Sequence, residues 1–179
     1  MFSCHHMEMN KILKQKKIPV IIIILTIFLA FHWPVYFLEA TDHRFDEVLF
    51  RKRVALNDEF KIKYSHSVMK TPVEETYQIM PNRRVLLKQM IYVSHGAGLP
   101  SQKEHDWEIT PDGFRMYNIN QSFGELIYRT AAKDSDVNFK LIFNGKEVPF
   151  LDFSEERTPV KIEIKRNPIW LYWIKNLSN

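Results

Sequence analysis

The strongest constraint on this chain is one uninterrupted apolar run near its start. From Ile18 to Leu38 every residue is apolar or aromatic except Thr26 and His32, with prolines at 19 and 34. A membrane helix needs about 20 such residues to cover a hydrocarbon core roughly 30 Å thick. The four consecutive isoleucines Ile21 to Ile24 look strand-like alone, but in lipid a helix satisfies its own backbone whatever its side-chain propensities. His32, Trp33 and Tyr36 suit a membrane–water interface. Lys11, Lys14, Lys16 and Lys17 precede the run, while Glu39 and Asp42 follow it. The positive-inside tendency then predicts a cytoplasmic N-terminus and an extracytoplasmic remainder. A cleaved signal peptide is the competing reading, but Leu38-Glu39-Ala40 makes a poor small-x-small cleavage site.

The expected organisation is therefore a basic leader over 1–17, a transmembrane signal-anchor over 18–38, a short linker over 39–45 and one domain over 46–179. About 140 residues suit a single hydrophobic core. Averaged charge misleads here, because 25 basic and 21 acidic residues fall to 21 and 20 once the first 38 residues are set aside. A nearly neutral domain argues against a nucleic-acid partner, which needs cations on the face meeting phosphate. The only cysteine, Cys4, lies before the apolar run. The domain thus has no disulfide framework and no thiolate nucleophile or ligand.

Within the domain, period-two patterning dominates. Phe60, Ile62, Tyr64 and His66 alternate with Lys61, Lys63, Ser65 and Ser67, the pattern of a strand with one solvated face. Arg83 to Val93 reads as a longer strand covered on both sides. Pro111-Asp112-Gly113 signals a turn, and Asn144-Gly145 is the strongest hairpin signal in the chain. Val160, Ile162 and Ile164 alternate with lysines and a glutamate. The tail from Ile169 to Leu177 reads as a strand or a short amphipathic helix. No segment carries a helical stripe of three turns. The expected fold class is mainly β: an antiparallel β-sandwich or partly closed barrel of eight to ten strands, preceded by one N-terminal transmembrane helix.

Two segments depart from plain alternation. One is Tyr64-Ser65-His66-Ser67-Val68-Met69-Lys70-Thr71-Pro72-Val73-Glu74; the other is Gly96-Ala97-Gly98-Leu99-Pro100. Together they resemble an uncharacterised bacterial family, domain of unknown function 1850. On matching positions, Tyr64, His66, Ser67, Thr71, Pro72 and Glu74 carry the first motif, and Gly96, Gly98 and Pro100 the second. Met69 stands where the family pattern favours a charged residue. The family's small exported members are often encoded beside TRAP-type, substrate-binding-protein-dependent transporters. The resemblance implies an extracytoplasmic location and a tie to solute uptake, but no catalytic set.

The residues themselves allow several readings. His66 is either a partly packed strand-end ring or, with Glu74, a group that orients a polar solute or partner, Ser67 and Thr71 adding hydroxyl contacts. Ser67 and Thr71 also suit plain turn positions, and Pro72 holds Thr71 extended. Gly96 and Gly98 allow positive φ or a close backbone approach; they form a tight crossing or a wall of the same pocket. No Gly-Lys-Ser/Thr follows, so this is not a phosphate loop. Ser67 or Ser94 with His66 or His95 supplies the atoms of a hydrolytic triad without the nucleophile-elbow context. His66, His95 and His105 with Glu74, Glu104 or Asp106 supply metal-ligand atoms without regular spacing. Trp107, Trp170, Tyr172 and Trp173 are either core or an exposed docking surface.

The expected function is a membrane-anchored extracytoplasmic β-domain acting without catalysis, accessory to a TRAP-type transporter or the cell envelope. Its expected partners are the lipid bilayer and a transporter subunit or solute-binding protein. The alternative is an independent small-ligand or metal-binding module; no cofactor is indicated.

Overall fold

In the computed structural model, the described residues are 19–29, 31–66, 70–93 and 105–171. They fall into two compact units: one comprising residues up to Val35 and from Asn167 onward, and one comprising Tyr36–Arg166.

In the first unit, residues 19–29 and 31 are helical. Among the described residues, no helix is long and apolar enough to cross a membrane. Residues 34–38, expected to complete the span, instead begin strand β1, Pro34–Asp42. The single-pass signal-anchor is thereby overturned. The cytoplasmic-to-extracytoplasmic topology and the lipid bilayer as partner, both inferred from it, fall with it. Residues 169–171 are helical, and Ile169 donates its backbone N–H to the Trp33 carbonyl at 3.1 Å. The rest of the tail, including Tyr172 and Trp173, lies outside the described residues.

The second unit is mainly β and holds two sheets. β1 is followed by β2 (Glu47–Val54), β3 (Glu59–Ser65), β4 (Pro72–Ile79), β5 (Val85–Tyr92) and β6 (Asp106–Thr110). Then come β7 (Gly113–Phe123), β8 (Glu125–Arg129), β9 (Lys140–Phe143), β10 (Lys146–Pro149) and β11 (Pro159–Pro168). One sheet has the order β2-β1-β11-β8, the other β10-β9-β3-β4-β5-β7-β6. β1–β2, β8–β11 and the successive pairs of the seven-stranded sheet are antiparallel. For the pairs joined by short connections, such as β6–β7 and β9–β10, this is dictated, since a tight turn cannot make a parallel crossover.

Between the sheets lies one apolar core. Leu38, Ala40, Leu126, Val160, Ile162 and Ile164 come from the smaller sheet; Phe60, Ile62, Val73, Tyr77, Ile79, Val85, Met90 and Leu141 come from the larger. Asn144 and Gly145 turn the β9–β10 hairpin with φ of 50° and 75°, as a two-residue type I′ connection requires. Gly113 sits at φ +128°, and a Cβ there would lie 2.6 Å from the Tyr92 carbonyl oxygen. Only glycine lets β7 begin so close to the end of β5.

Candidate functional site

The register of the larger sheet brings the first motif region and the end of β5 to one end. Ser65 opposes Pro72 where β3 ends and β4 begins, Val73 opposes Tyr92, and Tyr92 opposes Phe114. The turn joining β6 to β7 pairs Thr110 with Gly113 beside them. β3 therefore ends, and β4 begins, at the same end of the sheet at which β5 ends. Neighbouring strands lie about 4.8 Å apart, so the ends of β3 and β5, the two loop roots, are about two strand spacings apart.

The first loop is closed by its backbone. The His66 N–H donates to the Thr71 carbonyl at 2.8 Å, and the Lys70 N–H donates to the His66 carbonyl at 2.9 Å. Lys70 adopts φ +55° to make this turn. His66 and Thr71 are half-buried. Ser67, Gly96, Gly98 and Pro100 lie outside the described residues, as do Ser94, His95 and Glu104.

On the outer face, beside these loop roots, is a cleft of about 260 Å³ lined by Lys63, Pro72, Glu74, Ile91 and Asp112. Lys63, Glu74 and Ile91 are successive cross-strand partners on β3, β4 and β5. Glu74 accepts from the Lys61 ammonium at 2.7 Å. The polar ladder continues across the sheet, with Gln89 accepting from Arg115 at 2.7 Å and Glu108 accepting from Arg115 at 2.9 Å. This face offers charged groups of both signs to a polar solute or protein surface. Among the described residues, no group of three histidines, cysteines, aspartates or glutamates could hold a metal ion.

Tyr64 and Glu74 point to opposite faces, because their strand positions differ by one in phase: Tyr64 pairs with Val73, Lys63 with Glu74. Tyr64 belongs to an interior constellation that the sequence did not reveal. The carboxylate of Glu75, only 7% exposed, accepts from the hydroxyls of Tyr64 at 3.1 Å, Tyr77 at 3.0 Å and Tyr128 at 2.5 Å. The Tyr77 and Tyr128 oxygens are themselves 2.9 Å apart. Tyr128 comes from β8 and the others from β3 and β4, so this cluster ties one sheet to the other. Burial, and secondly the nearby Glu75 charge, push the phenols of Tyr64, Tyr77 and Tyr128 well above the ordinary tyrosine range. They are donors held neutral, not bases. Phe139 stacks on Tyr64 with centroids 5.0 Å apart and completes an aromatic wall with Tyr128 at 5.5 Å. The sequence signal available was an acid at an inward strand phase, since Val73, Glu75 and Ile79 share that face.

A family model described as "Domain of unknown function (DUF1850)" matches residues 60–150. That stretch runs from β3 through β10 and includes both motifs, the outer cleft and Glu75 with its three tyrosines. No curated protein and no solved structure matches the chain.

Proposed function

The chain belongs to the family of domain of unknown function 1850, and from that premise we propose that its β-domain is a non-enzymatic binding module whose contact site is the motif-bearing end of the larger sheet. One observation carries this reading: the Ser65–Pro72 and Val73–Tyr92 register brings the described first-motif residues Tyr64, His66, Thr71 and Glu74 to the sheet end where β5 also finishes, beside a cleft with charged walls. A loop rooted on a rigid sheet is a sound place for recognition, because the scaffold carries the ordering cost. The charged, open character of the cleft favours binding over chemistry, which calls for a water-excluded site with convergent groups. The family resemblance makes a TRAP-type transporter subunit or its solute-binding protein the partner class.

The test is site-directed cross-linking in the native host. A photo-reactive residue at Asp112 should label a transporter component. The double reversal Lys63→Glu with Glu74→Lys, made in the Asp112-labelled protein, should abolish that labelling while the unfolding midpoint stays put. Labelling that survives the reversal, or never includes a transport component, overturns the partner assignment. In the latter case, saturable binding of a small polar solute to the cleft would support the independent-module reading.

A further inference from the structure

A second concavity lies away from the motif-bearing cleft and uses none of its residues. It is about 310 Å³ in volume and is bounded by three segments: Thr130–Ala131, Val137–Lys140 and Pro149–Asp152. That volume is at the lower end of small-ligand sites.

Its walls are fixed by local hydrogen bonding. The Phe150 N–H donates to the Phe139 carbonyl at 2.9 Å. The Thr130 hydroxyl donates to the Glu155 carbonyl at 2.6 Å and accepts from the Thr158 N–H at 2.8 Å. Phe139 and Phe150 make an aromatic corner, with ring centroids 5.7 Å apart and planes tilted by 38°. Behind them, Phe139 rests on Tyr64 and Tyr128, so the corner is backed by the tied interior. Ala131, Val137, Pro149 and Leu151 supply apolar wall, where water finds few partners.

The charges at the rim differ in kind. The Lys140 ammonium is neutralised by Glu147 at 2.7 Å. Asp152 is exposed and, among the described residues, has neither an ion-pair nor a hydrogen-bond partner. The cleft therefore combines the half-buried Phe139 ring, backed by the buried Phe150, with apolar walls and one uncompensated carboxylate. Ring faces attract cations through their quadrupole, a carboxylate adds Coulombic attraction, and apolar walls take up methyl or methylene groups.

We propose that this cleft binds a small organic ammonium ion, its alkyl groups against Val137, Phe139 and Leu151 and its positive charge facing Asp152. Asp152 also borders a neighbouring cleft that includes Asp42, Arg44 and Glu155, so the test must separate the two locations.

The probe is choline chloride, titrated into the full chain at constant ionic strength and followed by amide NMR shifts. The control is 3,3-dimethylbutan-1-ol, which has the same shape and no charge. Choline should bind saturably at millimolar concentration, with shifts concentrated at Val137–Lys140 and Phe150–Asp152. The neutral analogue should bind about tenfold more weakly, a difference of ~1.4 kcal/mol. Asp152→Asn, an exposed change that leaves the core alone, should weaken choline at least threefold, or about 0.65 kcal/mol. Val137→Trp fills this cleft and not its neighbour, and should abolish binding in a protein whose spectrum shows it folded. The proposal is overturned if choline does not saturate, if the neutral analogue binds as well, if Asp152→Asn binds choline unchanged, or if Val137→Trp does so.

Discussion

Glu74 and Glu75 are chain neighbours on β4, yet they occupy different chemical environments. Glu74 faces outward and pairs with Lys61 at 2.7 Å, the two side chains being 20% and 42% exposed. Glu75 faces inward and is held by tyrosines from both sheets. A strand's period of two puts consecutive residues on opposite faces, so an identical carboxylate meets water at one position and phenols at the next. On the outer face, water replaces any lost partner at little cost. On the inner face nothing replaces it, and an unmatched polar group is expensive. The outer face is thus free to vary its charges for recognition, whereas the inner one is committed to holding the sheets together.

Removing the inner carboxylate gives the largest expected effect. Glu75→Ala loses three hydrogen bonds, leaves Tyr64, Tyr77 and Tyr128 without their shared acceptor and opens a cavity, and should cost on the order of 3 kcal/mol or more in urea unfolding. A loss under about 1 kcal/mol would mean that water already reaches the cluster, and the contrast between the faces would collapse.

Alkaline pH attacks the same cluster without mutation. The phenols of Tyr64, Tyr77 and Tyr128 are raised in the folded protein, chiefly by burial. Unfolded tyrosines titrate near pH ~10. Above that value the unfolded chain loses protons that the folded chain keeps, so the unfolded state binds fewer protons and stability falls as pH rises. The contribution is complete below about pH 10 and disappears towards the elevated folded values. Tyrosinate absorbance should show these three phenols ionising together with loss of the β circular-dichroism signal. Smooth titration of all the tyrosines before unfolding would contradict their burial.

Tyr128→Phe removes a single donor, the one contributed by the smaller sheet, and should cost about 1.5–3 kcal/mol. Comparing it with Glu75→Ala and the double variant gives the coupling between sheets. Additive losses would show that the Tyr128 hydroxyl stabilises independently of Glu75, through its contact with Tyr77.

How far these features were legible follows from their range along the chain. The alternation of Phe60, Ile62 and Tyr64 announced β3, and Asn144-Gly145 announced the β9–β10 turn, because both signals are local. β1 was hidden for a local reason too. Phe37 to Asp42 are six consecutive buried residues, so no alternation separates them from the apolar stretch before Pro34, and the strand was merged into a membrane span. Glu39 within it is buried against Arg51 at 2.6 Å, a pairing that a reader of sequence takes for a solvated linker acid. The phenol cluster was illegible because Tyr128 lies 53 residues from Glu75, and only sheet stacking joins them. Among the candidate site residues, Tyr64 and Glu74 lie on β3 and β4 and His66 and Thr71 between those strands, but the face each occupies depends on strand pairing. The cleft residues Lys63 and Ile91 carry no motif and Asp112 belongs only to a turn signal, so their convergence emerges only from the register.

The smallest expected effect tests the outer half of the comparison. Glu74→Gln removes the charge facing Lys61 but keeps the shape, and both groups retain access to water. Its stability loss should lie within about 0.5 kcal/mol, and the Lys61–Glu74 coupling from a double-mutant cycle should be similarly small. The same variant changes the field in the cleft beside the motif loops, where Glu74 lines the wall with Lys63 and Asp112. Binding at that end should therefore respond to Glu74→Gln while the urea midpoint does not. Tyr128→Phe should do the reverse, lowering the midpoint and leaving binding by the remaining folded protein intact. If Glu74→Gln instead costs more than about 1 kcal/mol, the outer ladder is structural after all, and recognition would have to lie in the loops rather than on the face of the sheet.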